Sequence, residues 1–217
     1  MPDPHPLLAL FTAAAEGRFP PCDGGVTLLP PLPHGLESSV AFTGHAVIAT
    51  ALPAAAVHAL RPDGFGASLA PDLLRALAGP DGWIGCTDAV LVARGTGGAP
   101  RLADLSGTAD DHPRVRHARE LRTSVRVFGD ERGLVTFGTG LAGRREIGVE
   151  LHAPDAGSPG RGRAFIADAL TLVPRGEPVF AAVSPGNARS LRAFLACGFV
   201  PVGSEVIVRP GRRAPQS

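Results

Sequence analysis

The sequence predicts an α/β (α+β) protein: a central mixed, mostly antiparallel sheet flanked by helices, with an N-terminal helical and strand extension. Three observations carry this reading. Strand-like runs at 123–128, 133–141 and 144–151 are separated only by the short turns 129–133 and 142–144, the layout of an antiparallel meander. The glycine-rich run Ser158-Pro-Gly-Arg-Gly-Arg163 then joins a strand to a helix. Finally, Pro178–Val183 is apolar throughout, as a strand covered on both faces should be, and Asn187 begins a second helix. With 44% hydrophobic and 19% charged residues in 217, a folded core is expected rather than disorder.

Taken in order, residues 6–17 read as a short amphipathic helix with Leu7, Leu10 and Phe11 on one face. Val26–Leu29 is a strand between proline pairs, and 39–52 a strand or hairpin turning at Gly44. Helices follow at 54–60 and 71–77, the second stopped by Gly79-Pro80. Ala89–Ala93 is a buried strand, and the turn-rich residues 95–113 read as a linker. Arg114–Arg122 reads as a solvated helix or the entry to a strand. After the meander, a helix at 164–173 follows the glycine loop, its Ser158-Pro159 serving as N-cap and first turn. The strand 178–183, the helix 187–196 and a last strand from about Phe199 to Val208 complete the chain. These elements divide it into an N-terminal part (1–113), a core (114–209) and a loose tail (210–217).

A glycine loop between strand and helix presents unpaired N–H groups and a positive dipole end, which together hold phosphate. The dinucleotide pattern is incomplete here: Gly162 is followed by Arg163, Ala164 and Phe165 without a third glycine, and Ala182-Val183-Ser184 supplies no acid for a ribose. The order of parts resembles the GNAT acetyltransferase superfamily instead. Pro154-Asp155 precedes Gly160-Arg161-Gly162, Asn187 opens the second helix, and Gly198-Phe199 closes it. The resemblance covers roughly the last 90 residues. Gly157 stands where the family usually has Arg or Gln, Pro159 removes one loop N–H, and Phe194 occupies the place of a Tyr. The chain has no tyrosine.

The resemblance implies a GNAT-like fold and an acetyl-CoA-dependent N-acetyltransferase that acts by direct attack of an amine in a ternary complex. Backbone groups of Leu151, His152 and Ala153 would meet the pantetheine and thioester. The loop residues Gly160, Arg161, Gly162 and Arg163 would hold the pyrophosphate, with Asn187 and Ser190 contributing from the second helix. Strand alternation places Glu146, Gly148, Glu150 and His152 on one face. That face is either a solvated edge salt-bridged to Arg144 or Arg145, or the acceptor cleft with Glu150 as the catalytic base. Phe194 keeps a second function open, a non-catalytic GNAT-like acyl-CoA-binding or regulatory module.

A net charge of +1 and few aromatics argue against a nucleic-acid surface. No apolar run suits a membrane span. Cys22, Cys86 and Cys197 form neither a disulfide framework nor metal-ligand spacing, which fits a cytoplasmic protein without a metal. His112 and His117 lie close in sequence but have no third ligand in reach. The acceptor is a small-molecule or peptide amine, and homodimer formation stays open.

Overall fold

The computed structural model describes residues 4–152 and 160–211. Its elements in chain order are α1 (Pro6–Ala14), β1 (Val26–Leu29), β2 (Glu37–Phe42), β3 (His45–Ala49), α2 (Ala54–Ala59), α3 (Pro71–Ala78), β4 (Trp83–Ile84) and β5 (Asp88–Arg94). There follow β6 (Ala103–Asp104), α4 (Pro113–Leu121), β7 (Thr123–Asp130), β8 (Gly133–Thr139), β9 (Arg145–Leu151), α5 (Arg161–Ala169), β10 (Pro178–Val183), α6 (Ala188–Ala196) and β11 (Val200–Arg209). Two compact units divide them, one from 1–90 with 202–217 and the other from 91–201. These boundaries differ from a division at 113/114, because β11 pairs with β2 and 95–113 belongs with the second unit.

In the first unit the strands run β1-β3-β2-β11, and β4 also pairs with β11. β1 and β3 are parallel; the other pairings are antiparallel. Ile48, Val57, Leu73, Leu77, Val206 and Val208 form its core between the strands and helices α2 and α3. Helix α1 buries Leu7, Phe11 and Ala14, with the Phe11 ring 5.7 Å from that of Phe42. His45 ties β3 to β1 and the loop before it: its ring nitrogens lie 2.9 Å from Thr27 Oγ1 and 2.8 Å from Asp23 Oδ1.

The second unit has the order β5-β10-β9-β8-β7-β6. β9 and β10 are parallel, whereas β7 through β9 form the antiparallel meander read from the sequence, and β6 adds antiparallel to β7. The sheet is thus mixed and mostly antiparallel, with helices packed on it. β10 buries Val179, Phe180, Ala181 and Val183, which explains its unbroken apolar run. Val115 of α4 packs on Val127 and Leu134, while α5 buries Phe165, Ile166 and Ala169.

Two local expectations are corrected. Residues 95–113 are built into this unit rather than serving as a linker: Gly95, Thr96 and Gly97 donate to Glu177, Leu170 and Val173 carbonyls, and β6 pairs with β7. Helix α5 starts at Arg161, three residues before Ala164, and Gly160 is its N-cap at φ +95. Glycine suits that left-handed conformation because it has no Cβ to clash. Ser158 and Pro159 lie outside the described residues.

Candidate active site

Strand β9 organises the second unit's polar side chains. At its inner end Glu146 is 4% exposed. One of its carboxylate oxygens accepts from Arg144 Nε at 2.7 Å and from the Leu141 N–H at 3.0 Å, and the other from Arg122 Nε at 2.8 Å. Burial pushes the carboxyl's pKa up, but the Arg144 and Arg122 guanidiniums outweigh it and hold it below the ordinary glutamate range. Arg144 is buried as well, its guanidinium 5.4 Å from the centre of the Phe180 ring. The salt-bridge reading therefore holds for Glu146, with Arg144 as one partner. Arg145 turns away to Glu177.

Two residues on, Gly148 is the floor of a polar cluster. A Cβ there would meet Arg114 Nη2 at 2.8 Å, Thr136 Oγ1 at 2.9 Å and Arg122 Nη1 at 3.2 Å. Helix α4 explains this convergence. Arg114 opens it and Arg122 caps its end, roughly 12 Å apart along the axis, and their long side chains reach inward from the two ends. The segment expected to be a solvated helix is helical, but its terminal arginines face the strand.

Glu150, near the outer end of β9, is exposed, its side chain at 46%. His112 Nε2 lies 3.8 Å from Glu150 Oε1. His112 is also the N-cap of α4: its Nδ1 accepts the Arg114 N–H at 3.2 Å. With Nδ1 accepting from the helix, Nε2 is the ring nitrogen on the Glu150 side. His152 is exposed, its ring centre 6.5 Å from that of His112. Sequence reading considers His112 only beside His117 and misses its pairing with Glu150, which spans 38 residues; its position just before a Pro-led helix is the available signal. His117 pairs with Glu120 instead. Among the described residues no group of three or more His, Cys, Asp or Glu is arranged to hold a metal ion.

The backbone of β9 changes partners along its length. Register with β8 runs from Thr139↔Arg145 to Gly133↔Leu151, whereas the register described with β10 is the single pair Phe180↔Glu146. The His152 N–H donates to Arg132 O at 2.9 Å, so that group is engaged and not open to a ligand. By alternation, Val149 and Leu151 direct their N–H and C=O groups to the opposite edge, toward β10, beyond the described pairing. Of the three backbone positions singled out, Leu151 has the open orientation, and Ala153 lies outside the described residues.

Helix α5 begins beside this edge: a Cβ on Gly162 would touch Leu151 Cδ1 at 3.3 Å. Its first intrahelical bond runs from the Ala164 N–H to Gly160 O, so the Arg161, Gly162 and Arg163 N–H groups precede the ladder. Arg163 Nη2 lies 3.5 Å from a Cβ built on Gly160. Arg161 donates to Glu131 O at 3.0 Å. Arg132 fastens the helix to the β7–β8 turn, bonding Asp130 and, at 2.7 Å, Asp168. These amides and cations fit a phosphate group.

On α6, Asn187 Oδ1 accepts the Ser190 N–H at 3.1 Å, the capping role expected of it; the exposed Asn187 amide NH₂ still has donors to offer. Phe194 is buried and packs edge-on to Phe199, ring centres 4.9 Å apart. Burial raises the pKa of the Cys197 thiol, which donates to Arg163 O, in keeping with a packing role.

No family model matches the chain. No curated protein matches it either. Two similar solved structures are a protein assigned to the GNAT acetyltransferase family from Novosphingobium aromaticivorans DSM 12444 and a GCN5-related N-acetyltransferase from Kribbella flavida. The first is 13% identical with a TM-score of 0.41, covering 62% of this chain and 70% of its own. The second is 12% identical with a TM-score of 0.39, covering 61% of each. No helix among the described residues is long and apolar enough to cross a membrane.

Proposed function

We propose that the chain is an acetyl-CoA-dependent N-acetyltransferase for a small-molecule or peptide amine. The observation that carries this reading is the edge of β9 beyond its described pairing with β10, beside the N-terminus of α5. Acetyl-CoA, as cosubstrate, supplies the acetyl group as a thioester. The amine nitrogen attacks the thioester carbonyl, a C–N bond forms, the C–S bond breaks, and the products are the acetamide and coenzyme A. The α5 amides with Arg161 and Arg163 hold phosphate, and the Leu151 and Val149 edge holds the amide-bearing arm. Asn187 and Ser190 flank it from α6. Glu150 takes the proton the amine loses, directly or through water, and His112 orients that carboxylate. The departing thiolate takes its proton from water, since Phe194 is a core phenyl ring.

Phe194 also favours a second reading, a non-catalytic acyl-CoA-binding module. One experiment separates the two: incubation with acetyl-CoA and a panel of amines, following free thiol and acetylated product together. Thiol and acetamide formed in equal amounts support the enzyme. Coenzyme A binding without turnover supports the module, and absence of coenzyme A binding removes both.

A further inference from the structure

We propose that Asp23, His45 and Thr27 form a hydrolytic site in the first unit, where Thr27 Oγ1 attacks small neutral esters. All three residues belong to that unit, so the proposal stands independently of acetyl transfer to an amine. They make one hydrogen-bonded line. Asp23 Oδ1 lies 2.8 Å from His45 Nδ1, and His45 Nε2 lies 2.9 Å from Thr27 Oγ1. The His45 bond, followed by the Gly25 N–H, holds the Asp23 carboxyl below the ordinary aspartate range. An ionised carboxylate only accepts, so His45 Nδ1 donates to it, and in the neutral ring Nε2 accepts the Thr27 hydroxyl. A serine-type relay needs this order of groups: a hydroxyl, a base that takes its proton, and a carboxylate that orients the base.

The backbone fixes the line in place. Gly24, at φ +72, donates to Gly44 O at 2.9 Å and accepts from the Gly64 N–H at 3.0 Å, which ties the Asp23 turn to the turn before His45. Phe42 pairs with His45 across β2 and β3, and its ring meets Phe11 of α1. The imidazole, 9% exposed, thus shares the face that α1 covers, whereas Thr27 is exposed on β1, the end strand among the described residues. Gly25 O and Leu29 O accept from Ala46 and Thr50, so alternate β1 residues bond β3 and the Leu28 N–H points away from the sheet. That donor, next in sequence to Thr27, is the one available to a developing oxyanion. The half-exposed Asp23 carboxylate disfavours an anionic substrate, and the exposed Phe65 ring against Gly24 gives an apolar acyl group a surface.

In the reaction, Thr27 Oγ1 bonds the ester carbonyl carbon as His45 Nε2 takes its proton. The bond from that carbon to the alcohol oxygen breaks, and the alcohol leaves with the proton. Water then attacks the acyl-threonine, passing a proton through His45 back to Thr27, and the carboxylic acid departs.

The test follows 4-nitrophenol release from 4-nitrophenyl acetate by the full chain, with the acetyl adduct located by peptide mass spectrometry. The wild type should hydrolyse the ester and carry the adduct on Thr27. Thr27→Val, isosteric and favourable in a strand, should keep the Tm but lose the adduct and ~10²–10⁴-fold in rate, whereas Thr27→Ser should retain both. His45→Gln should lose as much as Thr27→Val. Asp23→Asn keeps an oxygen for the Gly25 N–H, so the turn survives; its rate should still fall, and Asp23→Glu should recover part of it. A rate that survives Thr27→Val or Asp23→Asn, a wild-type rate no higher than that of His45→Gln, or an adduct found only on other residues overturns the proposal. Should Thr27→Val fail to fold, the position of the wild-type adduct decides alone.

Discussion

Glu146 and Glu150 stand on the same face of β9, each one pleat repeat from Gly148 on opposite sides of it, yet their surroundings are opposite. Glu146 is buried between two guanidiniums and a backbone N–H. Glu150 faces solvent, with the His112 imidazole 3.8 Å away. The difference follows from where α4 crosses the strand. Its C-terminal Arg122 covers the inner carboxylate, whereas its N-terminal His112 only borders the outer one. A carboxylate fully committed to buried arginines stabilises the unit and has no proton to move near neutral pH. One left at the rim is free to accept a proton from a ligand.

The comparison breaks first on stability. Glu146→Gln removes the buried carboxylate charge that Arg144 and Arg122 both bond, and unfolding free energy should fall by about 3–5 kcal/mol. Urea unfolding of the variant measures it. A loss under about 1 kcal/mol would mean that the inner cluster is no more structural than the outer one.

The next largest effect concerns the α5 end. At ~100-fold excess over its Kd, coenzyme A should add about 2.7 kcal/mol of stability to the wild type, read as a rise in Tm. Gly160→Asp should abolish the rise, and Gly160→Ala, with the same backbone strain but no charge, should retain more of it. An undiminished shift in Gly160→Asp would place the phosphate elsewhere.

Acid gives the smallest and most graded contrast. Glu146 and Asp130 both titrate below their ordinary values, the first despite burial and the second chiefly because Arg132 bonds it. A depressed folded pKa contributes stability above the unfolded value, lost as pH falls through the folded one. Stability should therefore drop below about pH 4, and the gap between wild type and Glu146→Gln should narrow as it does. A gap that stays constant to about pH 2 would contradict the depressed pKa of Glu146.

Local signals made much of this unit legible. The meander, the apolar β10, the Asn187 cap and the two-faced pattern of β9 all follow from periodicity and turn residues within short windows. What escaped depends on distance or on a choice between two local rules. Arg122 reaches Glu146 across 24 residues and His112 reaches Glu150 across 38, so neither contact has a sequence window. The start of α5 was placed late because Gly160 and Gly162 read as loop, although glycine is well suited to an N-cap and costs little in a first turn. The arginine-rich α4 looked solvated because its buried stripe is only Val115 and Ala118, which hides the inward reach of its ends. Phe194 stands in the place of the family's Tyr, and no local pattern shows what its ring touches. Its ring is part of the core against Phe199.

The most direct test is turnover by Glu150→Gln with an accepted amine, measured beside its coenzyme A binding and its Tm. If the outer carboxylate takes the amine proton, kcat/KM should fall by ~10²–10⁴-fold, while the coenzyme A shift and the Tm stay near those of the wild type. Turnover equal to wild type would contradict the account, reducing Glu150 to a surface partner of His112.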